Sequence, residues 1–383
     1  MRSLILPALL VTATAGVACS SDDDDDDDVT TLTAVTYNLG LAPGFVPAAD
    51  SRTDLASAAA VALDSDVLCV QEVWLPSQRA VLEQEAMAYP SQIYVEADAG
   101  EVGSAACTDA DLQPLLDCSI NAGCDQVCVD QLVTCVLDAC LPEFQALPPD
   151  CNSCLQANVG NTLSDIESTC ESQSTEFAFG GSFGLGLLSK YPFLEKNIIT
   201  FQSTTNRRAA IYALLDTPLG PVHTYCTHLT AVFDDIPYPR DEGSWEEEQA
   251  TQVAELIADI DNRSGADGQV LVLGDTNNGP AGPGYGAEAP QNYEPFPAAG
   301  LVNPYTDTPG HTCTFCSDNP LIGNDDDESV VIDHVFVRNI SGSTSAARVL
   351  DGAVDVETCG ETSSSALSDH YGVSVTISRE TDS

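Results

Sequence analysis

The side chains of this chain that could move protons or hold a hard cation fall into six short motifs. In order they are Tyr37-Asn38, Gln71-Glu72-Val73-Trp74, Thr227-His228-Leu229, Gly274-Asp275-Thr276-Asn277, Ile332-Asp333-His334 and Ser368-Asp369-His370. Taken singly they mean little: a Glu after a buried strand is commonly a solvated strand end, and a lone Asn is usually a turn residue. Together they hold the residue types of general acid–base work and of hard-cation binding. The chain has five histidines, and two of them, His228 and His370, stand where a proton carrier would be placed. His223 lies two pleats before its motif and is given no role.

The motifs end strands or follow them. Leu32 to Asn38 alternates and is β-prone, and Asp66 to Gln71 is a short apolar run of the buried-strand type. Short strands are expected again at Gln92 to Glu96, Gly186 to Ser189, Ile198 to Gln202, Ala209 to Leu215 and Val222 to Thr227. Val270 to Gly274, Val330 to Val337 and Tyr371 to Ser378 complete the set. Thr53 to Leu63, Pro76 to Ala88 and Trp245 to Asp261 read as helices, the last with Val253, Leu256, Ile257 and Ile260 on one face. Strands with interspersed helices indicate an α/β sandwich or a mixed sheet pair. No internal repeat is evident.

Charge and cysteine content narrow the setting. The 383 residues carry 12 Lys+Arg against 59 Asp+Glu, a formal charge of −47. A protein that tracks phosphate backbones needs basic side chains to replace counterions, so nucleic acid is disfavoured as a partner, as is charge-driven adhesion to anionic lipid. Fifteen cysteines are too many for a reducing compartment. Arg2, an uncharged apolar run from Leu4 to Val17 and small residues before Cys19 read as a signal peptide over residues 1–18. Cys19 would then carry the acyl chains of an exported bacterial lipoprotein, at the outer membrane or cell surface; simple secretion is the alternative. Residues 19–31 hold the run Asp22 to Asp28, an extended acidic linker, and no residue before Thr31 is expected in the fold. The domain is assigned to residues 32–380.

A Cys-rich insertion is assigned to residues 105–172. It contains Cys107, Cys118, Cys124, Cys128, Cys135, Cys140, Cys151, Cys154 and Cys170 and no histidine. Two or three short helices stapled by disulfides are expected; zinc at Cys151-x-x-Cys154 is the alternative. Cys313-x-x-Cys316 reads as a loop-closing disulfide or a redox pair. Cys69 and Cys226, on core strands, either pair with each other or stay buried thiols.

The ordered motif set resembles the endonuclease/exonuclease/phosphatase superfamily, metal-dependent phosphoester hydrolases that include pancreatic-type deoxyribonuclease, inositol polyphosphate 5-phosphatases and neutral sphingomyelinases. The resemblance runs from about Thr31 to Arg379, outside the insertion. It implies a four-layered α/β sandwich of two mixed β-sheets with the site at one edge. It implies that Glu72, with Asn38 and Asp369, serves a Mg2+ ion, Mn2+ being possible. Asp275 would orient or deprotonate the attacking water, and Asn277 would hydrogen-bond a phosphoryl oxygen. His370, oriented by Asp333, would contact the phosphate or act as base; His228 would stabilise the phosphoryl group or donate to the leaving oxygen.

The finer resemblance leans toward the sphingomyelinase-like branch, on Gln71-Glu-Val-Trp74, Tyr89-Pro90, Gly184-Leu-Gly-Leu-Leu-Ser-Lys-Tyr-Pro192 and Thr227-His-Leu-Thr-Ala231. It implies a phosphoester substrate, a membrane phospholipid among the candidates, with a phosphomonoesterase, a nuclease or a non-catalytic binding lipoprotein as alternatives. His334, where the family often has Tyr, reads as structural or as a rim residue. Of Arg207 and Arg208, opposite in facing along a strand, at most one faces the site. The loop from Val232 to Trp245 reads as solvated.

Overall fold

The computed structural model describes residues 29–234, 236–322 and 329–380. The expected signal peptide, Cys19 and the run Asp22 to Asp28 lie outside them. The first sheet has six strands in the order β10-β13-β1-β2-β4-β3. These are β1 (Val29–Asn38), β2 (Val67–Gln71), β3 (Ser91–Tyr94), β4 (Gly186–Ser189), β10 (Ser343–Val349) and β13 (Gly372–Glu380). The second has five in sequence order: β5 (Phe193–Thr200), β6 (Ala209–Thr217), β7 (Gly220–His228), β8 (Val270–Asp275) and β9 (Asp333–Arg338). β11 (Ala353–Thr358) and β12 (Glu361–Ala366) form a separate hairpin.

Why the central strands read as continuous apolar runs is visible in their packing. Along β1, Leu32 and Ala34 enter the core between the sheets, while Val35 and Tyr37 face outward. There they meet α1 (Ala49–Ala62) and α2 (Pro76–Glu85), through Ala56 and Leu82. Along β8, Leu271 and Leu273 face inward, and Val270 and Val272 meet Val253, Leu256 and Ile260 of α7 (Trp245–Ser264). Both faces of each sheet are covered, so alternation is lost and hydrophobicity is gained. The result is the four-layered α/β sandwich with two mixed sheets. Cys69 and Cys226 meet across the middle layer as a disulfide.

Four helices occupy the connection between the antiparallel neighbours β3 and β4, where a hairpin turn would suffice: α3 (Asp109–Ala122), α4 (Val129–Gln145), α5 (Pro149–Ala157) and α6 (Leu163–Ser172). They are more than the two or three expected. Disulfides Cys107–Cys151, Cys118–Cys140, Cys124–Cys135 and Cys154–Cys170 staple them. Cys151 and Cys154 therefore belong to two different disulfides, which excludes the zinc alternative. Cys128 reaches out of the insertion to Cys359 at the tip of the β11–β12 hairpin. With Cys313–Cys316, every cysteine among the described residues is paired.

Three expectations need correction. Val29 and Thr30 do belong to the fold: they pair with Glu380 and Arg379, because β13 runs long enough to give them a ladder. Strands β10 to β12 went unforeseen, since their Ser-, Thr- and acid-rich segments are mostly exposed. The loop before α7 is not simply solvated. Phe233 and Tyr238 pack edge-on against a buried Trp245, whose Nε1 donates to the Ile236 carbonyl at 2.9 Å.

Candidate active site

Strand direction brings the motifs together. β1 and β2 are a parallel pair in one sheet, and β7 and β8 a parallel pair in the other. Asn38, Glu72, His228 and Asp275 thus leave the sandwich at the C-terminal ends of four strands on one edge. β9 runs antiparallel to β8 and begins there, with Asp333 opposite Asp275. β13 is antiparallel to β1, and His370 stands just before it.

Asn38 is the hub. Its Nδ2 donates to Asp275 Oδ2 at 2.9 Å and to Glu72 Oε1 at 3.1 Å, and lies 3.5 Å from His370 Nε2. Its Oδ1 accepts from the Gly40 amide at 2.9 Å. His370 Nδ1 meets Asp333 Oδ2 at 3.0 Å, leaving Nε2 facing Asp275 Oδ2 at 3.8 Å. Across the cleft, His228 Nε2 lies 3.5 Å from the same Asp275 oxygen and 4.0 Å from Glu72. The backbone amide of Asn277 caps Asp275 Oδ1 at 2.9 Å, and its side chain donates to the Leu229 carbonyl at 3.0 Å. Ser368 donates to Asp369 Oδ1 at 3.1 Å. Glu72 and Asn277 both hold positive φ, 58° and 49°, an uncommon conformation for residues with a Cβ and one that gathers at functional sites. Gly40, at φ 57°, has no such choice: a Cβ there would lie 2.1 Å from Asp369 Oδ1.

The two histidines are driven apart. Burial, with Arg208 and His370, holds His228 well below 6.5. Burial acts on His370 in the same sense, but Asp333, Asp369 and Asp275 together reverse it and hold the ring well above 6.5. His228 is therefore a neutral imidazole, and His370 an imidazolium. Burial, then Asp333, pushes Asp275 up to about 7.

Two clusters have the composition of a cation site. Asp275, Asp333 and His370 bring ligand atoms within 4.8 Å of one another, but the His370 imidazolium already balances that group. Glu72 is different. Burial, then the neighbouring Asp369, raises it, as expected for two carboxylates short of a counter-charge. With the Asn38 amide beside them, Glu72 and Asp369 fit a hard divalent cation better.

The remaining candidates sort cleanly. Arg207 turns outward, paired with Asp98 at 2.8 Å and lying 3.7 Å over the Phe177 ring. Arg208 turns inward; it is 5% exposed, Glu72 and Asp275 are the charges that most support it, and its Nη1 has no hydrogen-bond partner. His334 is core and not rim. It accepts from Asn303 and donates to the Asn278 carbonyl, both at 2.8 Å, and packs on Tyr293 and Phe336. One step along β9 from Asp333, it faces the opposite layer.

Sequence reasoning missed the residues that hold the site in place. Arg52, fully buried, donates to the carbonyls of Leu39, Pro47 and Leu367, joining the loop after Asn38 to the segment before Asp369. Its one signal was a lone Arg inside an Ala-rich helix. Thr314 accepts from the Asp333 amide through Oγ1 at 3.2 Å, and the Phe315 ring lies 5.1 Å from His370. Cys313–Cys316 brackets those two residues, and nothing local marked them as supports.

A family model described as the Endonuclease/Exonuclease/phosphatase family matches residues 35–370. Among solved structures, the chain is similar to sphingomyelinase C from Streptomyces griseocarneus, at 17% identity over 91% of this chain and 99% of that one, TM-score 0.56. It is similar to beta toxin from Staphylococcus aureus, crystallised with bound magnesium ions, at 14% identity over 90% and 99%, TM-score 0.56. An endonuclease/exonuclease/phosphatase family protein from Bacteroides thetaiotaomicron shares 14% identity over 93% and 99%, TM-score 0.51. At these identities the likeness is one of fold. No curated protein matches the chain in sequence.

Proposed function

The chain belongs to the endonuclease/exonuclease/phosphatase family, and from that premise we propose that it is a metal-dependent phosphodiesterase acting on a lipid headgroup. The observation that carries hydrolysis is the run of contacts from Asp333 through His370 to Asp275 and Asn38, closed across the cleft by His228. A phosphodiester anion resists attack by water, so charge neutralisation, an activated water and a protonated leaving group are all needed. Asp275, pushed up to about 7, accepts the proton of a water that it orients. His370, kept charged and aimed by Asp333, offers Nε2–H to a phosphoryl or leaving oxygen. Arg208 Nη1, buried without a partner, suits a remaining phosphoryl oxygen, and Asn277 would offer another its second side-chain N–H, the first being given to Leu229. Glu72 and Asp369 would hold Mg2+, with Mn2+ as a substitute, and Asn38, donating to Glu72, would position that carboxylate for it. When bound, such an ion supplies positive charge against the phosphoryl oxygens.

The lipid headgroup rests on other support. The name of one fold relative is sphingomyelinase C, and the net charge of −47 opposes approach to DNA while leaving a zwitterionic headgroup unaffected. Seven disulfides and the leader sequence support an exported protein, anchored through Cys19. The test is a substrate panel with Mg2+: sphingomyelin and phosphatidylcholine vesicles, a phosphomonoester, and duplex DNA. Phosphocholine release that stops on chelation is expected. Preference for the monoester or for DNA would move the assignment to another branch of the family, and activity unaffected by chelation would remove the metal.

A further inference from the structure

The Cys-rich insertion lines a half-open cavity of about 90 Å3 that the reaction does not explain. Its walls are almost wholly apolar: Leu132, Val136, Phe144 and Ile166 from the insertion helices, with Phe45 and Ile236 from outside them. The last two matter most. Phe45 lies on the loop that follows Asn38, and Ile236 on the loop that follows His228. The insertion is seated on both loops. Gly160 approaches Pro43 so closely that a Cβ would lie 2.8 Å from its carbonyl oxygen, and Gln156 reaches the Pro237 carbonyl at 3.4 Å.

The cavity is larger than one water needs, yet its lining offers water almost no partners, so hydrocarbon is the occupant it suits. A void of this kind in an ordinary core costs stability and tends to collapse; here the walls are helices cross-linked by disulfides. Val136 and Ile166 are only half-buried, so the cavity has a mouth. A run of packed side chains joins its wall to the catalytic end. Phe45 packs against the cluster of Ala42, Val46 and Trp74, and Trp74 Nε1 reaches Glu72 Oε2 at 3.4 Å.

We propose that this cavity is a binding site for one alkyl chain of the substrate, whose phosphoester head lies at Asp275 and His370. The proposal rests on the lipid-headgroup reading and deepens it: the substrate is an amphiphile recognised at both ends, and the insertion is its chain-binding element. Adhesion of the acidic surface to the bilayer is then unnecessary, because affinity comes from the buried chain.

The experiment uses the full, oxidised chain and n-alkylphosphocholines from ethyl to octyl, kept below their micellar concentrations. Binding is read from the fluorescence of Trp245, whose indole donates to the Ile236 carbonyl beside the cavity. Affinity is expected to rise roughly fourfold per methylene, the transfer free energy of a CH2 converted to an equilibrium constant, and to level off once the cavity is full. Val136→Phe should flatten the series and leave Mg2+-dependent hydrolysis of bis(p-nitrophenyl) phosphate unchanged. Ile166→Phe provides the same test from α6 if α4 does not tolerate the larger ring. A flat series in the native protein, or one that both variants leave intact, overturns the proposal while the hydrolysis assay still stands. A steep series in a protein that hydrolyses no phosphodiester keeps the chain site and removes the catalytic reading.

Discussion

The catalytic end of the sandwich and the Cys-rich insertion solve opposite problems. The first buries charge: Asp333 and Asp275 are at most 1% exposed, and each is held by a strand end and a hydrogen bond. One disulfide, Cys69–Cys226, lies in the core beneath. The second has almost no charge to bury and little core. Its apolar cluster is small and rich in cysteine itself, and four internal disulfides with a fifth to Cys359 hold it together. A sheet covered on both faces can impose positions on groups that repel one another. A short helical connection cannot, and covalent closure of the unfolded chain makes up the difference.

The sharpest test of that contrast separates activity from stability at the catalytic end. Asp275→Asn removes a carboxylate that burial and Asp333 both disfavour when charged. It should lower kcat/KM by about 10²–10⁴-fold while the melting temperature holds or rises, because a poorly tolerated charge is gone. His370→Ala should lower both, since the imidazolium balances Asp333, Asp369 and Asp275. Turnover and thermal melts on the two variants decide it: equal stability changes would mean that the cluster is not electrostatically coupled as described.

The insertion should respond to covalent change instead. Replacing Cys118 and Cys140 together by Ala opens a closure of 22 residues, which typically costs about 3 kcal/mol of stability. Hydrogen exchange should rise over α3 and α4 and spare β1, β2, β7 and β8. Hydrolysis of a small soluble phosphodiester should be unchanged. Loss of that activity would show that the insertion supports the catalytic loops mechanically.

Sequence legibility follows the same division. The strand-end motifs could be read because a buried strand is an unbroken apolar run, and a polar residue at its end is conspicuous: Asn38 after Tyr37, Asp275 after Gly274. Arg52 and Thr314 could not, because their partners are backbone groups far away in sequence. Neither could the opposite charge states of His228 and His370, which depend on how many carboxylates surround each ring. The disulfide character of the insertion was legible from composition and setting. The Cys128–Cys359 link was not, since pairing depends on where the β11–β12 hairpin lies, and its weakly patterned residues gave no strand signal.

A pH experiment extends the contrast, because the insertion has no histidine between Cys107 and Cys170 while β9 buries one. His334 is lowered to about 4 by burial, so it folds neutral. Between about 4 and its unfolded value near 6.5 the unfolded chain binds the extra proton. Its contribution is therefore complete above 6.5 and declines as pH falls toward 4, by roughly 3 kcal/mol at most. The stability difference between the native chain and His334→Gln should shrink over that window. A difference that stays constant with pH would mean that the ring is protonated in the fold.

The smallest expected effect contrasts two adjacent residues. Arg208 is enclosed among Glu72, Asp275 and the Trp74 ring, whereas Arg207 pairs with Asp98, which is 66% exposed. An exposed pair gains little in water and is screened by salt, so its worth is about 0.2–1 kcal/mol. Stacking on the buried Phe177 ring adds about 0.5–2 kcal/mol. Arg207→Ala should therefore lower the melting temperature slightly, lose much of that effect in high salt, and leave kcat/KM alone. Arg208→Ala should do the reverse, costing turnover through a lost phosphoryl contact and relieving the desolvation of a buried cation. If both substitutions slowed hydrolysis equally, Arg207 would have to reach the substrate despite its outward pairing, and the strand-facing argument that separates the two would fail.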